Sequence, residues 1–164
     1  MLRLRKIEPS DLPFLYQWEN DATMWADSDT HNPLSRHDLH QYIENTTGDI
    51  YRDGQLRLII EESQLSTKVV GCIDLFDFDA RNRKAAIGMY IAPNMRGKGF
   101  GKKSVELLLD YVFDFLKLRM VYAIIGVKNH SCSRIYESLG FVPSSILKAW
   151  TLEDDAILWQ KLCD

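Results

Sequence analysis

The residues with the clearest chemical purpose lie together in Ile91-Ala-Pro-Asn-Met-Arg-Gly-Lys-Gly-Phe-Gly-Lys-Lys103. Three alternating glycines, Gly97, Gly99 and Gly101, let the backbone approach a ligand closely. The helical periodicity that follows directs unpaired N–H groups and a positive dipole end at the same point. Phosphate is the natural guest of such a turn. Arg96, Lys98, Lys102 and Lys103 add positive charge around those amides, which suits a diphosphate better than a carboxylate. Three named phosphate loops fail on counting. The nucleotide-triphosphate loop needs glycine at 102 and a serine or threonine after Gly101-Lys102, where the chain has Lys102 and Lys103. The dinucleotide fingerprint and the kinase glycine-rich loop share a spacing that needs glycine at 102 or 104, where Lys102 and Ser104 stand.

The other reactive side chains are less organised. His37 and His40 stand at i, i+3 on a helical stretch, but no third ligand at suitable spacing accompanies them, so no metal is expected and a polar helix face is the favoured reading. Cys72, Cys132 and Cys163 are widely separated and match neither a CxxC nor a zinc spacing. They read as reduced core thiols.

These residues need elements to hold them. Leu2, Leu4 and Ile7 alternate with basic residues as an opening strand, and Pro9-Ser10-Asp11 supplies a break and a cap for a helix over about 12–20. The stretch from Asp21 to Pro33 is polar and reads as a loop. A second capped helix starts near Ser35, with Leu39, Tyr42 and Ile43 on one face. Three strands at 56–61, 69–76 and 85–91, joined by short polar links, predict an antiparallel meander rather than βαβ units. Val105, Leu108, Leu109, Val112, Phe113 and Leu116 then mark an amphipathic helix. A buried-type strand at 121–127 precedes a short helix at 131–139 that Gly140 terminates, and 146–162 reads as one or two strands with a turn at 153–155.

The chain has 164 residues with 20 Lys+Arg against 23 Asp+Glu, a formal net charge of −3, which argues against a general nucleic-acid binder. A hydrophobic fraction of 46% in a chain of this length supports one domain with its own core and excludes disorder. The segment Met1–Ile7 lacks the apolar core of a signal peptide, and no apolar run is long enough to span a bilayer. A cytoplasmic protein without a membrane partner is expected.

The segment Arg96-Gly-Lys-Gly99-Phe-Gly101, after a strand and Pro93, fits R-x-x-G-x-G, and here the sequence resembles the GNAT superfamily of acetyl-CoA-dependent N-acetyltransferases, whose motif is [QR]-x-x-G-x-[GA]. Asn129-His-Ser-Cys-Ser-Arg-Ile-Tyr136-Glu-Ser-Leu-Gly-Phe141 is similar to that superfamily's N-x-x-[AS]-x-x-x-Y-x-x-x-G-F segment. The similarity covers nearly the whole chain. It looks nearest to the branch of spermidine and ribosomal-protein N-terminal acetyltransferases, in which homodimers are common. The resemblance implies an α/β (α+β) fold with a mixed, mostly antiparallel central sheet flanked by helices.

It further implies that the pyrophosphate of acetyl-CoA sits on the backbone of Arg96, Gly97, Lys98, Gly99, Phe100, Gly101 and Lys102, with pantetheine along Met89, Tyr90 and Ile91. A backbone N–H near Tyr90 or Ile91 would polarise the thioester carbonyl. Tyr136 would protonate the departing thiolate, its phenol with an ordinary pKa of ~10 being a donor at neutral pH, although core packing is the plain alternative for this side chain. Asn129 would bind pantetheine, cap the short helix, or both. Many relatives carry glutamate where this chain has Ala86, so the general base is left open among Asp74, a water chain ending at Asp77 or Asp79, and no dedicated base. Asp74, Asp77 and Asp79, with Glu19, Asp21, Asp27 and Asp29, would line an acidic entrance for a small-molecule amine such as a polyamine. Trp18, Trp25, Trp150 and Trp159 would hold aliphatic amine segments or fill the core. The expected reaction is direct attack by a primary amine on acetyl-CoA in a ternary complex. The alternatives are acetylation of a protein N-terminal amine or an amino sugar, and a silent acyl-CoA sensor.

Overall fold

The computed structural model describes residues 1–28, 30–64 and 66–164, with the side chains of all of these except Ala26 and Asp27. Period-two alternation builds a seven-stranded sheet in the order β1-β2-β3-β4-β5-β7-β6. Its strands are β1 (Leu2–Lys6), β2 (Leu56–Ser63), β3 (Thr67–Asp79), β4 (Lys84–Ile91), β5 (Met120–Gly126), β6 (Val142–Leu147) and β7 (Ala156–Leu162). Neighbouring strands pair antiparallel except β4 and β5, which run parallel. A parallel pair needs a crossover, and α4 (Phe100–Asp110) supplies it.

Each face of the sheet carries a core. On one face, Ile73, Leu75, Ile87, Val121 and Ala123 pack with Val105, Leu108 and Val112 and with Tyr136 of α5 (His130–Ser138). On the other, Ile59 and Cys72 pack with Leu15 and Trp18 of α1 (Leu12–Glu19) and Leu39 and Ile43 of α2 (Arg36–Asn45). Ser35 caps α2 as expected, accepting from the Asp38 N–H at 3.0 Å, and Asp38 completes a capping box by accepting from the Ser35 N–H at 2.8 Å.

The differences from expectation have local causes. Asp11 does not cap α1: its carboxylate is buried, accepting from Arg5 at 2.8 Å and from the Glu8 N–H at 2.8 Å. The polar stretch after Asp21 is not all loop. Asp21 accepts from the Thr23 N–H at 3.1 Å and starts a 3-10 turn over Ala22–Asp27. A four-residue helix, α3 (Ile50–Asp53), precedes β2. After Asp110 the amphipathic helix widens into a π-turn over Tyr111–Phe115, closed by the Leu116 N–H on the Tyr111 carbonyl. The last region is two strands, and β6 starts earlier than the apolar pattern suggests. Only Cys72 is a core thiol, since Cys132 is half-buried and Cys163 exposed.

Candidate active site

The sheet opens in its middle. The β4–β5 ladder covers only Lys84–Ala86 against Met120–Tyr122, whereas β4 stays paired with β3 as far as Ile91. Beyond Ala86, β4 therefore presents one backbone edge to a gap. The groups facing that gap follow from strand alternation. The Ala92 N–H donates to the Val70 carbonyl at 2.9 Å, and the Tyr90 carbonyl lies so close to Gly71 that a Cβ there would stand 2.0 Å from its oxygen. Residues 90 and 92 thus face β3, and Met89 and Ile91 face the gap. An extended amide-bearing molecule can pair with these groups as an added strand would. Of the three residues expected along pantetheine, Met89 and Ile91 are so placed and Tyr90 is not. Its side chain lies on the opposite face, with its ring centroid 5.5 Å from that of Trp18.

At the mouth of the gap lies the glycine turn. Gly97 and Gly99 have φ of 71° and 81°, a region that penalises any side chain, and a Cβ on either would meet nothing within 4 Å. The first bond within α4 runs from the Lys103 N–H to the Gly99 carbonyl at 3.2 Å. The amides of Phe100, Gly101 and Lys102 precede it and point out of the helix end, so the open space is lined by N–H donors and suits a pyrophosphate. Gly101 serves a different purpose from its two neighbours. It is buried, and a Cβ there would lie 3.1 Å from Ile135 and 3.2 Å from Met89, so its smallness seats α4 against α5 and β4. The basic side chains do not converge on the turn. Lys98 donates to the Asn94 carbonyl at 3.0 Å, Lys103 pairs with Glu106 at 3.1 Å, and Lys102 is exposed. Arg96 folds back, its Nε donating to the Ile91 carbonyl at 2.9 Å.

Tyr136 is 2% exposed, its ring edge-on to Phe141 with centroids 4.9 Å apart. Burial pushes the phenol well above its ordinary range, so it stays protonated. Packing and proton donation are thus compatible in one side chain. Asn129 caps α5, its Oδ1 accepting from the Cys132 N–H at 3.3 Å and the Ser131 hydroxyl at 3.3 Å. Gly140, with φ of 84°, ends the motif.

On the opposite face of β4 stand Gly88 and the buried Ala86, with Asp74 in register beside Gly88 and the Phe76 ring 3.2 Å from where a Gly88 Cβ would lie. Asp74 is not a free carboxylate. Arg57 donates to it twice, at 2.9 and 2.7 Å, and to Glu19 at 2.5 Å, and all three side chains are about four-fifths buried. Two carboxylates against one guanidinium leave a net charge of −1 here. Burial and the flanking acids act on Arg57 in opposite senses, and the acids hold its pKa above the ordinary value. The sequence pattern missed Arg57; an arginine in the run Leu56-Arg-Leu-Ile-Ile60 was its only signal. Asp77 is exposed at the irregular end of β3, with φ of 47°, and Asp79 caps its hairpin by accepting from Asn82 at 2.9 and 2.7 Å. The expected acidic entrance is therefore divided between a mid-sheet cluster and a hairpin tip. The side chain of Asp27 and all of Asp29 lie outside the described residues. Among the described residues no group of His, Cys, Asp and Glu could hold a metal ion, and His37 and His40 are exposed.

A splayed β4–β5 pair, a glycine turn at the end of β4 and a crossover helix with free amides define an acyl-CoA-dependent acyltransferase fold. The acetyltransferase (GNAT) domain family model matches residues 1–142. A spermidine N(1)-acetyltransferase of Vibrio cholerae is 28% identical over 144 residues, 86% of this chain and 79% of that protein. The Escherichia coli (strain K12) spermidine N(1)-acetyltransferase is 26% identical over 143 residues, 85% of this chain and 72% of its own. The crystal structure of the Vibrio cholerae spermidine N-acetyltransferase in complex with CoA and spermine superposes with a TM-score of 0.88 at 25% identity, covering 99% of this chain and 95% of that one. The chain belongs to the GNAT family and is an acetyl-CoA-dependent N-acetyltransferase.

Proposed function

We propose that the amine acceptor is a polyamine such as spermidine, acetylated on a primary amine by direct attack in a ternary complex. The observation that carries this reading is the net negative Glu19–Arg57–Asp74 cluster beside Gly88 of β4. A cationic chain crossing that face toward the gap gains from the uncompensated charge, whereas a neutral amino sugar does not. The relatives that are spermidine N-acetyltransferases support the same reading.

Each residue has a separate task in this reaction. Acetyl-CoA, when bound, supplies the activated acyl group. Gly97, Gly99 and the amides of Phe100, Gly101 and Lys102 hold its pyrophosphate, and Met89 and the Ile91 N–H pair with its pantetheine. The Ile91 N–H, on the gap side of β4, is placed to donate to an oxygen that gains charge as the amine attacks. Tyr136 stays protonated through neutral pH and gives its proton to the leaving thiolate. Asp74, held twice by Arg57, attracts the acceptor rather than deprotonating it, so the attacking amine arrives neutral from solvent, and the proton its nitrogen sheds on forming the amide passes through water to restore the Tyr136 phenol.

Thiol release with a panel of amines tests the assignment. Spermidine should exceed a neutral amino sugar and a peptide amine by about tenfold or more in kcat/KM. Equal turnover of all three would sink the polyamine assignment.

A further inference from the structure

The side chains of the first residue of the glycine turn motif and of the middle residue of the pantetheine strand reach toward the same segment. Arg96 donates through Nε to the Ile91 carbonyl at 2.9 Å, places Nη2 3.4 Å from the Met24 sulfur, and has its guanidinium carbon 5.7 Å from the centre of the Tyr90 ring. The Tyr90 hydroxyl donates to Asp21 at 3.4 Å, and the other side of its environment is Trp18. Asp21 in turn begins the 3-10 turn over Ala22–Asp27, accepting from both the N–H and the hydroxyl of Thr23. The Trp25 indole N–H, from the same turn, donates to the Glu19 carbonyl at 3.0 Å. One end of this segment thus rests on β4 and the glycine turn, and the other on the residue whose carboxylate is held by Arg57.

We infer that Tyr90 and Arg96 are positioning residues for the amine acceptor: their side chains fasten the Ala22–Asp27 turn across the end of β4, against the Glu19 that belongs to the acceptor-attracting cluster with Arg57 and Asp74. The inference rests on the acetyltransferase site proposed above and assigns these two side chains to the acceptor, leaving cofactor binding at the turn to backbone amides. The contacts are polar and partly exposed, so each adds modestly, and together they select one arrangement of a short turn that has few buried apolar groups of its own. Because Arg96 also meets the carbonyl of Ile91, the segment is referenced to the strand that carries the acyl group.

Arg96→Ala and Tyr90→Phe test this, with acetyl-CoA Kd measured by calorimetry and spermidine KM by thiol release. Each should raise the spermidine KM about fivefold or more while acetyl-CoA Kd stays within about twofold, and Arg96→Lys should recover part of the loss. A weakened acetyl-CoA Kd with unchanged spermidine KM would return Arg96 to the phosphates and overturn the inference, as would no change in either constant. A second measurement does not depend on the acceptor's identity. Chymotrypsin cleavage after Trp25 should be faster in Arg96→Ala than in the unaltered protein, and equal rates would also overturn the inference. If the unaltered protein acetylates no polyamine, the acceptor assignment fails alone, and the calorimetric and cleavage results still decide the roles of the two side chains.

Discussion

Removing the Tyr136 hydroxyl separates the two tasks of that side chain. The ring fills core between Phe141 and the sheet, and phenylalanine preserves that packing. The phenol is raised by burial, so it holds its proton across the working pH range, and the same burial disfavours a charged thiolate beside it, so the proton moves as charge develops on the departing sulfur. Tyr136→Phe should leave acetyl-CoA affinity and melting temperature near their original values and lower kcat by about 100-fold or more. Stopped-time thiol release alongside calorimetry measures both, and an unchanged kcat would remove Tyr136 from the chemistry. The same scale shows how far residue types alone reach. The glycine turn and Tyr136 were legible because glycine at φ near 70–80° and tyrosine in a spaced motif each have few substitutes. The direction of Arg96 was not legible, since an exposed arginine beside three glycines has no sequence mark telling phosphate from a carbonyl. Arg57 was hidden for the same reason: its partners Glu19 and Asp74 come from distant parts of the chain.

At the scale of elements, the strands that alternate and the helices with a clear apolar stripe were readable, and the elements that lack such patterns were not. β6 is exposed along nearly all its length, so Val142–Leu147 carries no buried alternation to mark its start. The turn over Ala22–Asp27 is set by the Asp21–Thr23 hydrogen bonds rather than by periodicity. The π-turn after α4 keeps Val112 buried while Phe115 is 75% exposed. One ion-pair network joins elements far apart in sequence: Glu61 of β2 is buried and accepts from Arg3 and from Arg5 of β1, and Arg5 also holds Asp11. Hydrogen bonding from Arg5, followed by Arg3, holds the Glu61 carboxyl below its ordinary 4.5. A carboxyl lowered in the folded state stabilises above its unfolded pKa, and that contribution fades as pH falls below about 4.5 and through the folded value. Glu61→Gln should therefore cost about 2 kcal/mol at pH 7, seen as a melting temperature lower by roughly 5 °C. The deficit should shrink on acidification to pH 3, and a deficit equal at both pH values would dissociate Glu61 from the acid response.

Over the whole molecule, the net charge of −3 averages two unlike regions. Amide donors line one end of β4, and the Glu19–Arg57–Asp74 cluster sits beside its middle on the other face. The proposed sites for an anionic donor and a cationic acceptor thus lie on different sides of one strand, and only the donor side is tied to the crossover helix that completes the sheet. Binding at that side acts on global stability, because the unfolded chain has no equivalent cradle. Acetyl-CoA at about 100 times its Kd should stabilise the fold by about 2.7 kcal/mol and raise the melting temperature by roughly 5–10 °C. Two glycine variants distinguish the cradle from the scaffold around it. Gly97→Ala places a methyl in open space at a φ of 71°, so the unliganded protein should lose about 1 kcal/mol from backbone strain. The same methyl intrudes into the open space proposed for the phosphates, so most of the ligand-induced shift should disappear. Gly101→Ala meets only the ends of the Ile135 and Met89 side chains, at 3.1 and 3.2 Å, while gaining helix propensity of about 1 kcal/mol. It should keep most of the shift. Equal loss of the shift in both variants, read by thermal melts with and without acetyl-CoA, would show that packing of α4 rather than the open face of the turn governs cofactor binding.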